Sequence, residues 1–353
     1  MIEINGNDLV FSFPSVHQCA RLNISFQRTL RIPDDDRTYH LPPGLGTFPL
    51  VHVDDFEKNV PEKWLEHGGV IMPMYQSEAM WIYFSGHHDP TRRSTYPFAI
   101  KISTGKINAV TGEEYKSGLK KNPQDYVVSP KQPWLDGYCI KKGEIRQFIA
   151  MPLGEGYTAE EQITGEAEHG GLQITVYPMK GSRYDALFPK EDLIAMQERS
   201  VTTGSWGALP TVACMAAPGA APMQVKEMGL APGGKMKQEI YSDDFKIDDW
   251  DLENGSRCFV HITNSVTWAE ITGNLPPHLP PSAKDYTYAG LPWFDYYDAD
   301  SKAIKGSSKL AKLESVQKMS AEKGDAISNE SFSTIEIVIP IKKNPKQVRE
   351  GDF

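Results

Sequence analysis

Apolar and polar residues alternate along most of this chain with the period of strands rather than helices. Leu22, Ile24 and Phe26 alternate with polar neighbours, the pattern of a half-buried strand. FAIKIS and KINAV flank Thr104 and Gly105, and GYCIK and EIRQFIAM flank Lys142 and Gly143, so each pair predicts a hairpin. LQITVY, CFVHIT and TWAEIT are further short β-rich runs. Ile335, Ile337, Ile339 and Ile341 keep period two, and Pro340, with no amide hydrogen to donate, marks an edge or a strand end.

Helical signals are fewer and shorter. Residues 61–67 start with proline at a tolerated first position and stop at Gly68 and Gly69. Residues 189–199 carry acids in the first turn and an arginine in the last. Residues 308–323 place Leu310, Leu313, Val316 and Met319 on one stripe, with Gly324 as the stop. Thr158 and Glu161 have the spacing of a capping box. The pattern predicts a mainly β chain (β-rich α+β), with sandwich-like sheets and a few short peripheral helices.

Two stretches read as connectors. Residues 203–234 are rich in glycine, alanine and proline, and LPPHLPPS at 275–282 favours an extended polyproline conformation. The first divides the chain into an N-terminal β-rich domain (1–202), a connector (203–234) and a smaller C-terminal β domain with one helix (235–353). The tetrapeptide EHGG occurs twice, at 66–69 and 168–171, each time before an apolar run. That arrangement predicts a glycine turn entering a strand.

The chain has 353 residues, 40% of them hydrophobic and 24% charged, which suits a globular protein with a large core. Its 29 glycines and 26 prolines favour turns over long helices. A formal net charge of -9 argues against a nucleic-acid backbone or an anionic membrane as partner, since both call for a basic surface. The first residues, MIEINGNDLVFSF, lack a basic stretch followed by an apolar one, so no secretory signal is expected. No apolar run reaches the roughly 20 residues of a membrane span. Cys19, Cys139, Cys214 and Cys258 are too scattered for a disulfide framework or a zinc motif, and reduced cytoplasmic thiols are the expectation.

Each familiar catalytic motif lacks an essential part. GLAPGGKM at 229–236 is one residue from a P-loop, but Met236 stands where a Mg²⁺-binding hydroxyl belongs, so a glycine loop leading into the strand KMKQEIY is expected. GEGYTA at 154–159 fits a dinucleotide turn, yet Glu155 would repel a pyrophosphate and Gly165 cuts the following helix short. His67-Gly68-Gly69 and His169-Gly170-Gly171 suggest an esterase oxyanion loop, but the chain has no G-x-S-x-G elbow. His87, His88 and Asp89 are the best local metal candidates, weakened because consecutive side chains rarely converge on one centre. Asp243, Asp244, Asp248, Asp249, Asp251 and Glu253 are out of EF-hand register, which leaves calcium binding there open. Tyr286, Tyr288, Trp293, Phe294, Tyr296 and Tyr297 crowd one segment, where core packing outweighs a sugar or peptide platform.

Residues 132–178 are the most informative stretch, because polar residues stand among the apolar ones of its strands. Trp134, Asp136, Arg146, Gln147, Glu160, Gln162 and Glu168 are its candidates for ligand or partner binding. Arg146 and Gln147 should point to opposite faces of one strand. If Arg146 is buried it needs a carboxylate, with Asp136 and Glu144 as candidates.

Several phrases carry a family resemblance: FQRTLRIPDD, YHLPPGLGTFPL, GGVIMPMYQSEAMWIYF, KINAVTG, QDYVVSPKQPWLDG, GEIRQFIAMPLGEGYTAEEQITG, GGLQITVYP and MGLAPGGKMKQEIY. Through them, over roughly residues 26–241, the chain resembles an uncharacterised family of bacterial and fungal proteins. Some fungal members are fused to a ubiquitin-like segment, which is not expected here. The resemblance implies no activity and no catalytic residue, and it implies that GLAPGGKMKQ is a family motif rather than a degraded P-loop.

The reading that follows is a soluble cytoplasmic protein that binds or self-assembles without chemistry of its own. It needs no cofactor, and its partner is a protein or a like subunit in a homo-oligomer, because many short strands leave edges to be covered. The alternative is an enzyme acting on a carbohydrate or another polar small molecule through carboxylates and Arg146.

Overall fold

The computed structural model describes residues 1–35, 37–190, 226–276, 301–325, 347–351 and 353. The strands begin with β1 (Ile2–Asn5), β2 (Asp8–Ser12), β3 (Arg21–Thr29), β4 (Thr38–Tyr39), β5 (Gly44–Thr47), β6 (Val51–His52) and β7 (Val70–Pro73). They continue with β8 (Ala79–Gly86), β9 (His88–Asp89), β10 (Ser94–Thr95), β11 (Phe98–Thr104), β12 (Ile107–Asn108), β13 (Val127–Ser129) and β14 (Trp134–Leu135). The rest are β15 (Gly137–Lys141), β16 (Glu144–Pro152), β17 (Leu172–Pro178), β18 (Glu227–Lys237) and β19 (Ser256–Thr263). The α-helices are short: α1 (Glu62–His67), α2 (Ala159–Thr164), α3 (Gly181–Leu187), α4 (Ser265–Thr272), α5 (Ser308–Ala311) and α6 (Val316–Lys323). The β-rich class with few short helices is therefore what the molecule has. No described helix is long and apolar enough to cross a membrane.

The strand pairing returns on itself. β2 joins β1 to β3, and β3 lies against β8 along its whole length. From β8 the path runs through β16, β18, β19, β17 and β11 to β13. The chain then leaves β13 and enters β14, which pairs with β8 again. Tyr138, Phe148, Ile102, Ile174, Leu230 and Val260, from strands around this circuit, share one buried apolar cluster. The buried Tyr138 hydroxyl ties three strands together, bonding the Thr104 hydroxyl at 2.8 Å and donating to the Leu230 carbonyl at 2.9 Å.

Alternation places the residues as expected in the strongest elements. Leu22, Ile24 and Phe26 are fully buried in β3. The hairpins at 104–105 and 142–143 form, with Gly105 (φ +52°), Lys106 (φ +60°) and Gly143 (φ +76°) supplying the left-handed turn conformations. Both EHGG glycine pairs enter strands, β7 and β17, and these lie on opposite sides of β19.

Other elements depart from the sequence reading. TWAEIT is not a strand but most of helix α4. Asn264 accepts the Thr267 amide at 2.8 Å and Gly273 closes the C-terminus in the left-handed region, so local capping outweighs the β-branched residues. The helix expected over 308–323 is two helices, because Ser307 caps α5 and Ser315 starts α6 afresh. GLAPGGKM is not a loop; it lies inside β18. Arg146 pairs with Lys235 and Phe148 with Pro232, so Gly233 and Gly234 together oppose Gln147 in a β-bulge. A side chain at Gly234 would meet the Pro33 carbonyl at 2.4 Å, which explains the glycine. The connector expected up to 234 thus ends earlier, with 203–225 outside the described residues. β18 and β19 pair with β16 and β17, so hydrogen bonds join the segments placed in separate domains. The helix at 189–199 beyond Lys190, the aromatic segment 286–297, the polyproline run from 277 and the strand at 335–341 also lie outside the described residues.

Candidate functional site

The central stretch uses most of its polar side chains to hold the fold. Gln147 is fully buried; its amide donates to the Leu30 carbonyl at 2.9 Å and accepts the Ile32 amide at 3.1 Å. Arg146 donates to the Gly233 carbonyl at 2.9 Å and lies 3.6 Å from Asp34. Its partner carboxylate is therefore Asp34, not Asp136 or Glu144, and both neighbours on β16 end on the same 30–34 segment. Gln162 clamps α2 to the segment before α6, donating to the Glu314 carbonyl at 3.0 Å and accepting its amide at 2.7 Å. Thr158 and Glu161 form the expected capping box at the start of α2.

Glu160 is a buried carboxylate enclosed by backbone. It accepts the amides of Glu168 (3.0 Å), His169 (2.7 Å) and Gly170 (2.8 Å), and so shapes the second EHGG turn. Glu168 is an exposed residue of that turn, and its carbonyl receives the Lys63 ammonium from α1. Two histidines lie near. His261 is buried, stacks on Trp64 at 4.5 Å and donates from Nε2 to the Gly68 carbonyl at 3.0 Å. Burial pushes His261 down to about 3, and burial with the nearby Lys106 pushes His169 down to about 4. Both are neutral at pH 7 and work as structural groups.

Asp136 is also buried, with its carboxylate bonded to Gln238 Nε2 at 2.7 Å and to the Trp134 side chain. Burial pushes it up to about 7 against these two bonds. Asp136, Arg146 and Glu160 bond to different groups: Asp136 to Gln238 and Trp134, Arg146 to Gly233 and Asp34, and Glu160 to the amides of residues 168–170. A depression of about 390 Å³ is lined by Ser12, Pro14, Ser15, Glu253 and Asn254 among others, and by none of these residues.

Trp134 differs from the other candidates because it is an aromatic ring left partly exposed. Its side chain reaches inward to Asp136 while its ring joins an aromatic face on the outside of the sheet. In β14 it sits opposite Tyr83 of β8; Tyr83 sits opposite Ser25 of β3, and Ser25 opposite Asp8 of β2. Directly opposed residues share a face, so Asp8, Ser25, Tyr83 and Trp134 form one row across four strands. In the next row Trp81 opposes Gln27, which opposes Thr47 of β5. The Trp81 ring lies 6.0 Å from Tyr83 (interplanar 86°) and 6.1 Å from Trp134 (62°), a corrugated strip of three rings. Gln27 Nε2 donates to the Ser25 hydroxyl at 2.9 Å and Asn7 Nδ2 to the Thr47 hydroxyl at 3.0 Å. Tyr83 is one of the few large side chains left exposed, at 38%. Trp81 Nε1 has no hydrogen-bond partner. Desolvation raises the Asp8 carboxyl above the usual range.

The metal candidates do not converge. His88 is exposed and bonds Thr95, whereas Asp89 is buried and committed to Thr91, Arg92 and Cys19. Among the described residues no group of three or more histidine, cysteine or acidic side chains is placed to hold an ion. The acidic 243–253 segment bonds to itself and the core: Asp243 accepts Tyr126 and Trp250, Asp249 the Lys246 amide, and Asp251 the Asn254 amide. Comparisons with protein-family models, with curated proteins and with solved structures gave no match.

The sequence reading singles out Trp134 but not Trp81 or Tyr83, its neighbours on this face. The signal was present in WIYFS, where Trp81, Tyr83 and Ser85 share one strand face while Ile82 and Phe84 take the other. Contiguous aromatic rings on the outward face of a strand mark a candidate contact surface.

Proposed function

We propose that the protein is a non-catalytic binding protein whose contact surface is the aromatic face of β2, β3, β8 and β14. The carrying observation is the in-register row of Asp8, Ser25, Tyr83 and Trp134 with Trp81 and Gln27 beside it. Partly exposed tryptophan and tyrosine rings beside a few polar groups are the composition of recognition surfaces. The anchoring of Trp134 to buried Asp136 supports the same reading, because a ring fixed before binding loses little freedom on contact. The bonds of Gln147 to Leu30, of Arg146 to Asp34 and of Asp136 to Gln238 support a bracing role for the polar side chains of 132–178.

Hydroxyl-radical footprinting tests the proposal without presupposing the ligand. Trp81, Tyr83 and Trp134 are expected to be protected in cell extract relative to purified protein, while exposed Leu252 is unchanged. Equal labelling of the three rings in both conditions refutes it. Light scattering on the purified protein reports whether a second copy is the occupant.

A further inference from the structure

We propose that the aromatic face binds a neutral carbohydrate, an uncharged oligosaccharide; the proposal rests on the reading of that face as the contact surface. A pyranose ring has two chemistries, apolar C–H faces and a rim of hydroxyls that both donate and accept. The face offers the complement of each. Trp81, Tyr83 and Trp134 supply π surface for the C–H faces, their rings packed edge to face at 6.0 and 6.1 Å. The Gln27 and Asn7 amides both donate and accept, the Thr47 hydroxyl does the same, and the Asp8 carboxylate accepts, while buried Ser25 holds the Gln27 amide in place.

Charge selects among ligand classes. Three cations of β3 and of the loop before β14 already have partners: Arg28 is held by buried Glu78 at 2.7 Å, Arg21 lies 3.6 Å from Glu3, and Lys131 bonds Asp244. Asp8 is the one carboxylate in the row and repels a phosphate or a polyanion. Shape selects too. A stable protein interface has a broad apolar centre, whereas here one narrow cluster of three rings, inclined at 86° and 62°, gives way on β3 and β2 to the Gln27 amide and the Asp8 carboxylate. Corrugated rings bordered on one side by hydrogen-bonding groups suit a chain of rings with hydroxyl rims.

The test uses the intact protein and a panel of neutral hexasaccharides: gluco-, xylo-, manno- and N-acetylchito-oligosaccharides. Titration calorimetry and tryptophan emission read binding. Saturable binding of at least one of them is expected, with an emission change. Tyr83→Ala, at an exposed position that leaves the core intact, should weaken it at least tenfold, Trp134→Ala similarly, and Gln27→Ala several-fold; Leu252→Ala should not change it. No saturable binding of any hexasaccharide at millimolar concentration by folded wild-type protein overturns the proposal, and so does binding that survives Tyr83→Ala and Trp134→Ala together. Footprinting protection of the face without sugar binding refutes the carbohydrate alone and leaves the binding reading standing. Absence of both refutes both.

Discussion

Replacing Asp136 by asparagine should change stability with opposite sign at low and high pH. The Asp136 carboxyl moves from an ordinary value of 3.8 to about 7 on folding, and burial is the main cause. Below pH 3.8 both states hold the proton and the group contributes nothing. Between 3.8 and 7 the native state keeps the proton that the unfolded chain has released, so stability falls as pH rises. Above 7 the full cost is present: about three pH units at ~1.4 kcal/mol each give ~4 kcal/mol. Asparagine carries no charge at any pH and escapes this cost. Its amide puts a donating NH2 where the carboxyl group has its second oxygen, however, and losing one buried bond costs about 1–2 kcal/mol. The variant should therefore be less stable than wild type by about 1–2 kcal/mol at pH 4 and more stable by ~2 kcal/mol at pH 9, crossing between. Urea denaturation followed by circular dichroism at intervals from pH 4 to 9 measures this. A stability difference that stays constant over that range refutes the reasoning, because it would mean that Asp136 does not change its ionisation on folding.

Other expectations follow from the same geometry. Glu160→Gln removes the charge from an acceptor that holds the amides of residues 168–170; a loss of ~2–3 kcal/mol and faster hydrogen exchange at those amides are expected, since charge-assisted bonds are the stronger ones. His169 and His261 are depressed from 6.5 to about 4 and about 3, so their neutral forms support the fold fully above pH 6.5 and that support is lost as pH falls through 4 and 3. A urea midpoint for His261→Gln that declines less steeply in acid than that of wild type is the check. Gly69→Ala places a methyl 2.0 Å from the Phe259 carbonyl at a φ of +84°, so the β7–β19 pair must separate. A thermal midpoint lowered by well over 5 °C is expected, and an unchanged midpoint would contradict the close approach.

Local pattern made some of the molecule legible and hid the rest. The Leu22, Ile24 and Phe26 alternation, the two hairpins and the Thr158–Glu161 cap were readable because their determinants sit within a few residues of each other. TWAEIT misled because its β-branched residues are also compatible with a helix once Asn264 caps it. The aromatic face was not readable for a different reason. Alternation says which residues of one strand share a face, but not which strands are neighbours. Ser25, Tyr83 and Trp134 meet only through pairings across 50 or more positions. Arg146 was correctly judged to need a carboxylate, yet Asp34 lies 112 positions earlier and no spacing rule points to it.

The parallel pairing of Val70 with Val260 has a consequence for biosynthesis. A ribosome adding about 5–20 residues per second needs roughly 10–40 s to reach the second strand after making the first. During that interval Val70–Pro73, all four residues destined for the interior, has one flank open. A chain stalled before residue 256 therefore exposes an adhesive ribbon, and the nascent polypeptide is a natural client for a holding chaperone until β19 emerges.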